Sequence, residues 1–170
     1  IEALDPLKHL IILDTNGWFF DEEKAKWFAG LGGYKAQISL DSFVADEHDA
    51  FRNKPGSYKR VLRAITASKE AGLELLLSTR LVKDRVFSQE FEDFLEYCGA
   101  EDVPLYVTLA KPVGSARGHD GWVCTKKDVD QLKYLEDKYN VFTHMTPSYG
   151  QPGKCITVKG INTVNHDGEI

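Results

Sequence analysis

Cysteine is scarce in this sequence: three in 170 residues, Cys98, Cys124 and Cys155. They stand far apart, no C-x-x-C occurs, and the odd count gives neither a disulfide framework nor a zinc signature. Read alone, each is a small buried hydrophobe or an inert thiol. Positive charge is also in short supply, with 21 Lys and Arg against 26 Asp and Glu and a formal charge of −5. That balance argues against nucleic acid as a partner, because phosphate binding needs cations clustered on one face. No apolar run approaches the roughly 20 residues that cross a bilayer, so no membrane partner is expected. The first residues, Ile1-Glu2-Ala3-Leu4-Asp5, lack the basic start and apolar middle of a signal peptide. A 42% hydrophobic, 28% charged chain is a soluble globular one by composition, with the cytoplasm as its default location. Position 1 is not Met, and Asp167-Gly168-Glu169-Ile170 stops as a turn leads into a strand, so both ends read as cuts.

What is present is a recurring unit, an apolar strand followed by an amphipathic helix. Leu10 to Leu13 reads as a buried strand, closed by Asp14-Thr15-Asn16-Gly17. Asp21 stands where an N-cap belongs, with Glu22 and Glu23 in the first turn, where the helix dipole favours acids. Lys35 to Leu40 is the second strand. A polar loop follows it, Lys54-Pro55-Gly56 turns the chain, and Ser57 caps a helix with Tyr58, Val61, Leu62 and Ile65 on its buried side. Leu73 to Leu77 is the third strand. Ser88 caps the next helix, which Gly99 ends, and Val103 to Leu109 is the fourth strand. This alternation predicts right-handed βαβ units and a parallel sheet, with ligands held beyond the carboxyl ends of the strands. Those ends are Asp14 to Gly17, Ser39 with Asp41, Ser78 to Arg80, and Leu109 to Gly114. Past Gly114 the character changes to a flexible connector, a helix over Lys126 to Tyr139, and a turn-rich tail.

The string Thr15-Asn16-Gly17, then Ser39-Leu40-Asp41, then His48-Asp49 with Arg52 and Gly56-Ser57-Tyr58, resembles the middle of radical S-adenosylmethionine (SAM) enzymes. Pro112-Val113-Gly114-Ser115-Ala116 is similar to that family's P-x-G-x-A, so the likeness covers roughly residues 10 to 118. Lys154-Cys155 and the residues on to Gly168 resemble the start of a SPASM-type extension, which binds auxiliary [4Fe–4S] clusters. The sequence contains no CxxxCxxC, the loop that holds the SAM-binding cluster, and no Gly-Gly-Glu segment. The resemblance therefore implies a partial parallel (βα) barrel of about four units over 1–117, a linker and helix over 118–140, and the start of a SPASM-like appendage over 141–170.

By the same resemblance, Ser39 and Arg52 contact SAM, the Arg at its carboxylate, and Leu109 lies near the adenine. Asp41 and Asn16 are pocket neighbours, and Cys155 is the expected metal ligand. A guanidinium fork on a carboxylate suits that chemistry. For the whole protein, the resemblance implies reductive cleavage of SAM to a 5′-deoxyadenosyl radical acting on a peptide or protein side chain. A flavodoxin or ferredoxin would supply the electron, and the 170 residues alone are expected to be inactive.

Blander readings stand beside these. Ser39 could satisfy a local backbone group, and Arg52 could pair with Glu47 or Asp49 at the surface. Four histidines, His48, His119, His144 and His166, share no ligand spacing and read as surface or turn residues. Ile11 to Asn16 also resembles the opening of PIN-type metal-dependent nucleases, with Asp14, Glu47 and Asp93 as candidate carboxylates. A non-catalytic α/β module binding a small molecule is the third reading.

Overall fold

The computed structural model describes Leu7, residues 9–110 and 117–141, and the backbone of the strand at 143–145. In chain order the elements are β1 (Ile11–Thr15), α1 (Glu22–Gly30), β2 (Gly33–Ser39), α2 (Ala45–Phe51), α3 (Ser57–Glu70) and β3 (Glu74–Leu81). A short 3-10 turn (Arg85–Phe87), α4 (Gln89–Ala100), β4 (Leu105–Leu109), a second 3-10 turn (Asp120–Trp122), α5 (Lys126–Tyr139) and β5 (Thr143–Met145) complete them. Each strand pairs parallel with the next, so the sheet order simply ascends from β1 to β5. Right-handed crossovers are the rule for parallel strands joined in ascending order, and they put the connecting helices on one face. The result is an opened (βα) barrel, not a doubly wound sheet, whose order reverses at a switch point.

The pleat divides the sheet accordingly. Ala36, Ile38, Leu77, Leu105 and Val107 are buried on the helix-covered face, against a core that includes Phe28, Phe91 and Phe94. Alternate residues, Asp14 and Gln37 in one register row and Ser39, Ser78 and Tyr106 in another, share the opposite face, where none is fully buried. One face is thus a core and the other a polar wall.

The expected partial barrel is present, with one strand more than the four expected. The turn-rich reading of the tail did not contain β5, which pairs with β4 across the helix α5. Asp21 caps α1 by accepting the Lys24 N–H at 3.1 Å, and Ser88 caps α4 by accepting that of Phe91 at 3.2 Å, both as expected. Ser57 does not cap α3. The left-handed Gly56 takes the cap position, and the carboxylate of Asp49 accepts the N–H groups of Gly56 (2.5 Å) and Tyr58 (2.7 Å) from outside the helix. Those bonds hold the Asp49 carboxyl below its ordinary range. Nor does Gly99 end α4, which runs to Ala100. A Cβ there would stand 2.2 Å from the carbonyl oxygen of Tyr139, so glycine permits α5 to pass close beside α4.

Candidate functional site

The carboxyl edge of the sheet is built from tight turns. After β1, Gly17 donates its N–H to the Thr15 hydroxyl (3.1 Å), and Asn16 Oδ1 accepts that of Trp18 (3.1 Å). Gly17 has φ +72°, and a Cβ on it would lie 3.2 Å from Val61 Cα and from Ala64 Cβ. The Thr15-Asn16-Gly17 turn therefore lies flat on α3, a place only glycine fits without strain. Trp18 projects beyond it, with Lys54 Nζ 4.9 Å and the Arg60 guanidinium 5.3 Å from its ring. At the next strand end, Ser78 donates its hydroxyl to that of Ser39 (3.3 Å), and Leu40 N–H bonds Ser78 O (2.8 Å). Ser39 thus has a side-chain partner on the adjacent strand rather than the backbone partner of the blander reading.

Beyond Ser39 the chain enters a buried polar cluster. Asp41 is 6% exposed, and its Oδ2 accepts from Arg52 Nε at 2.5 Å. Arg52 therefore pairs with Asp41, not with Glu47 or Asp49. Glu47 instead accepts the Ser42 hydroxyl (2.9 Å), and Asp49 serves as the α3 cap. His48, expected at the surface or in a turn, is fully buried in α2. Its Nδ1 accepts the Asp41 backbone N–H (3.1 Å), and its Nε2 faces the Ser57 hydroxyl (3.2 Å).

An acid, an imidazole and a serine in a row suggest a nucleophilic triad, but the geometry is wrong for one. Nδ1 is already an acceptor, so it carries no proton to give the Asp41 carboxylate, which lies 4.0 Å away. The ring is the neutral Nε2–H tautomer donating to Ser57, and burial keeps its pKa below the ordinary histidine value. The cluster is a brace.

Arg52 and Asn16, two of the expected pocket residues, line one cavity of about 400 Å³ with Trp18, Phe19, Lys54 and Ser57. The terminal guanidinium nitrogens of Arg52 make no hydrogen bond among the described residues. Leu109 ends β4 with its side chain in the core, 3% exposed. Cys155 lies outside the described residues, as do 111–116 and hence Lys111 to Gly114 of the fourth strand end. A larger cavity, about 580 Å³, opens at the amino end of β4 beside Cys98, Val103 and Glu136, the wrong end of a parallel sheet for a ligand.

Among the described residues, no three His, Cys, Asp or Glu side chains gather as a metal site. Asp14, Glu47 and Asp93, the carboxylates of the nuclease reading, stand on β1, α2 and α4 and form no such group. The described thiols do not fit an iron–sulfur cluster either. Cys98 is buried with its thiol pushed up to about 12, and buried Cys124, pushed up to about 11, donates to Leu81 O at 3.2 Å.

The arrangement defines an α/β protein of the opened (βα)-barrel class, with polar side chains gathered at the carboxyl edge of its sheet. No family model matches the chain. It is 29% identical over 124 residues to the AdoMet-dependent heme synthase of Nitratidesulfovibrio vulgaris, covering 71% of this chain and 33% of that protein. It is likewise 29% identical over 123 residues to the mycofactocin maturase MftC of Mycobacterium tuberculosis, covering 72% and 30%. A solved domain of the pyruvate-formate lyase-activating enzyme from Bacteroides vulgatus superposes with a TM-score of 0.62 at 15% identity, covering 82% of this chain and 83% of that domain. The curated relatives are radical SAM enzymes, the family whose motifs the sequence resembles, and the solved domain shares the fold. It spans about a third of the length of the curated relatives it matches.

Proposed function

We propose that this chain supplies the later half of a SAM-binding pocket, in which Arg52 takes the carboxylate of the methionine moiety. The observation that carries the reading is Arg52 itself. Asp41 holds it by Nε, its outer nitrogens are unengaged among the described residues, and it lines a cavity at the carboxyl edge of the sheet. That donor set fits a carboxylate, since two parallel N–H groups match its two oxygens. In the same reading Ser39 hydrogen-bonds SAM, Leu109 borders the adenine, and Asn16 and Asp41 complete the surroundings. Cys155 begins an auxiliary-cluster segment over 141–170, joined through 118–140 to the barrel of 1–117.

SAM together with its [4Fe–4S] cluster supplies radical chemistry when bound, while this chain orients the methionine end. The substrate is a peptide or protein side chain, a reading supported by the maturase named among the relatives. A flavodoxin or ferredoxin as donor and a cytoplasmic location belong to the same proposal. The 170 residues alone form no 5′-deoxyadenosine, for want of the CxxxCxxC thiolates.

Equilibrium dialysis of SAM against the anaerobically reconstituted whole protein tests this. Arg52→Ala should weaken SAM at least about tenfold, as expected on deleting the partner of a bound carboxylate. Unchanged affinity in that variant removes the reading.

A further inference from the structure

The strand-end turn, the helix α2 and Arg52 are tied to one another more tightly than a surface ion pair requires. Asp41 is buried while the Arg52 side chain is 30% exposed, so the pair is anchored from the inside. Arg52 also donates its backbone N–H to His48 O (3.0 Å), and His48 in turn accepts the N–H of Asp41. The other ring nitrogen of His48 reaches Ser57, the first residue of α3. The Arg52 side chain is thus tied to Asp41, and His48 is bonded both to the Asp41 backbone and to that of Arg52.

We infer that Asp41 is a positioning residue for Arg52, and that His48 acts behind it by fixing the turn on which Asp41 stands. The Oδ2 oxygen of Asp41 is spent on Nε of Arg52. A free arginine samples many rotamers, and ordering it on binding costs affinity. Anchoring Nε beforehand leaves the two outer nitrogens fixed as a fork for an incoming carboxylate. His48, neutral and buried, holds the Asp41 backbone without competing for its carboxylate. This inference rests on Arg52 receiving the carboxylate of SAM, and its test separates the two.

The test compares SAM with decarboxylated SAM, by equilibrium dialysis, on the reconstituted whole protein. Asp41→Asn is expected to weaken SAM about tenfold and to leave decarboxylated SAM unchanged, since only the fork is misplaced. In a double-mutant cycle, Asp41→Asn added to Arg52→Lys should cost little more than Arg52→Lys alone. His48→Gln, a milder change, should show the same selectivity at about threefold. Equal weakening of both ligands by Asp41→Asn, or no weakening of either, overturns the inference; if that variant does not fold, the same two outcomes in His48→Gln decide it. An Arg52→Lys protein that treats the two ligands alike would instead sink the carboxylate reading itself.

Discussion

Nδ1 of His48 accepts the backbone N–H of Asp41 at 3.1 Å, inside a ring environment that is 0% exposed. An imidazole in that position cannot take a second proton without setting two N–H groups against each other. Burial is the main force lowering its pKa, the nearby Arg52 charge adds to it, and Asp41 and Asp49 oppose it. The brace beneath Arg52 is therefore a device that works in its neutral form.

A pH dependence of stability follows from that neutrality. With the folded pKa lowered, the unfolded chain binds the proton more readily, and acid favours unfolding. The contribution of His48 is complete above the unfolded value near 6.5 and declines as pH falls below it. Urea denaturation at about pH 7.5 and about pH 5.5 should show lower stability in the acid sample, and His48→Gln should flatten the difference. The carboxylates capping helices, Asp49 and Asp21, are held below their ordinary values and lose their contribution only at more acid pH. A slope between those two pH values that His48→Gln leaves intact would place the titrating group elsewhere.

The legible part of the fold was the part written locally. Apolar runs mark β1 to β4, and Asp21 and Ser88 stand directly before their helices with side chains able to cap. The helix α2 carries no such mark. Its cap residue is Val44, whose side chain accepts nothing, and only Asp46 and Glu47 in its first turn hint at a helix. Missing α2 also hid His48, because a histidine read in a polar loop has no inward face. The blander alternative for Arg52, a surface pair with Glu47 or Asp49, fails for a related reason. Glu47 and Asp49 are nearer in sequence, but Ser42 and the start of α3 occupy them, and α2 carries Arg52 back to the strand end eleven residues earlier. The strand β5 is three residues long, Thr143–Met145, too short for a pattern of period two to declare itself.

The two described thiols should be chemically silent in the folded protein. Only the thiolate attacks an alkylating agent, and burial pushes Cys98 to about 12 and Cys124 to about 11. Both are also shielded, at 1% and 4% exposure. Iodoacetamide near neutral pH should leave the peptides carrying Cys98 and Cys124 unlabelled until denaturant is added, as read by mass spectrometry. Rapid labelling of either one in the native protein would contradict the burial described for it. Cys155 falls on a separate stretch and is read independently of the other two.

Gly99 allows a test in which propensity and packing predict opposite signs. Replacing a helix-interior glycine by alanine ordinarily stabilises by about 1 kcal/mol. At Gly99 the new Cβ would meet the Tyr139 carbonyl oxygen at 2.2 Å and Val141 Cγ2 at 3.3 Å. A backbone carbonyl cannot swing aside as a side chain does, so α4 and α5 must separate. The expected result for Gly99→Ala is a net loss of about 1–3 kcal/mol, the usual range for overpacking. Each kcal/mol lowers the melting temperature by roughly 2–4 °C in a domain of this size. Gly30, the last residue of α1, has nothing within 4 Å of its would-be Cβ, so Gly30→Ala should be neutral or stabilising. Thermal melts of the two variants beside the parent protein read the contrast directly. If Gly99→Ala melts as high as Gly30→Ala, then α5 does not cross α4 at Tyr139, and the delivery of β5 to the edge of the sheet must take another path.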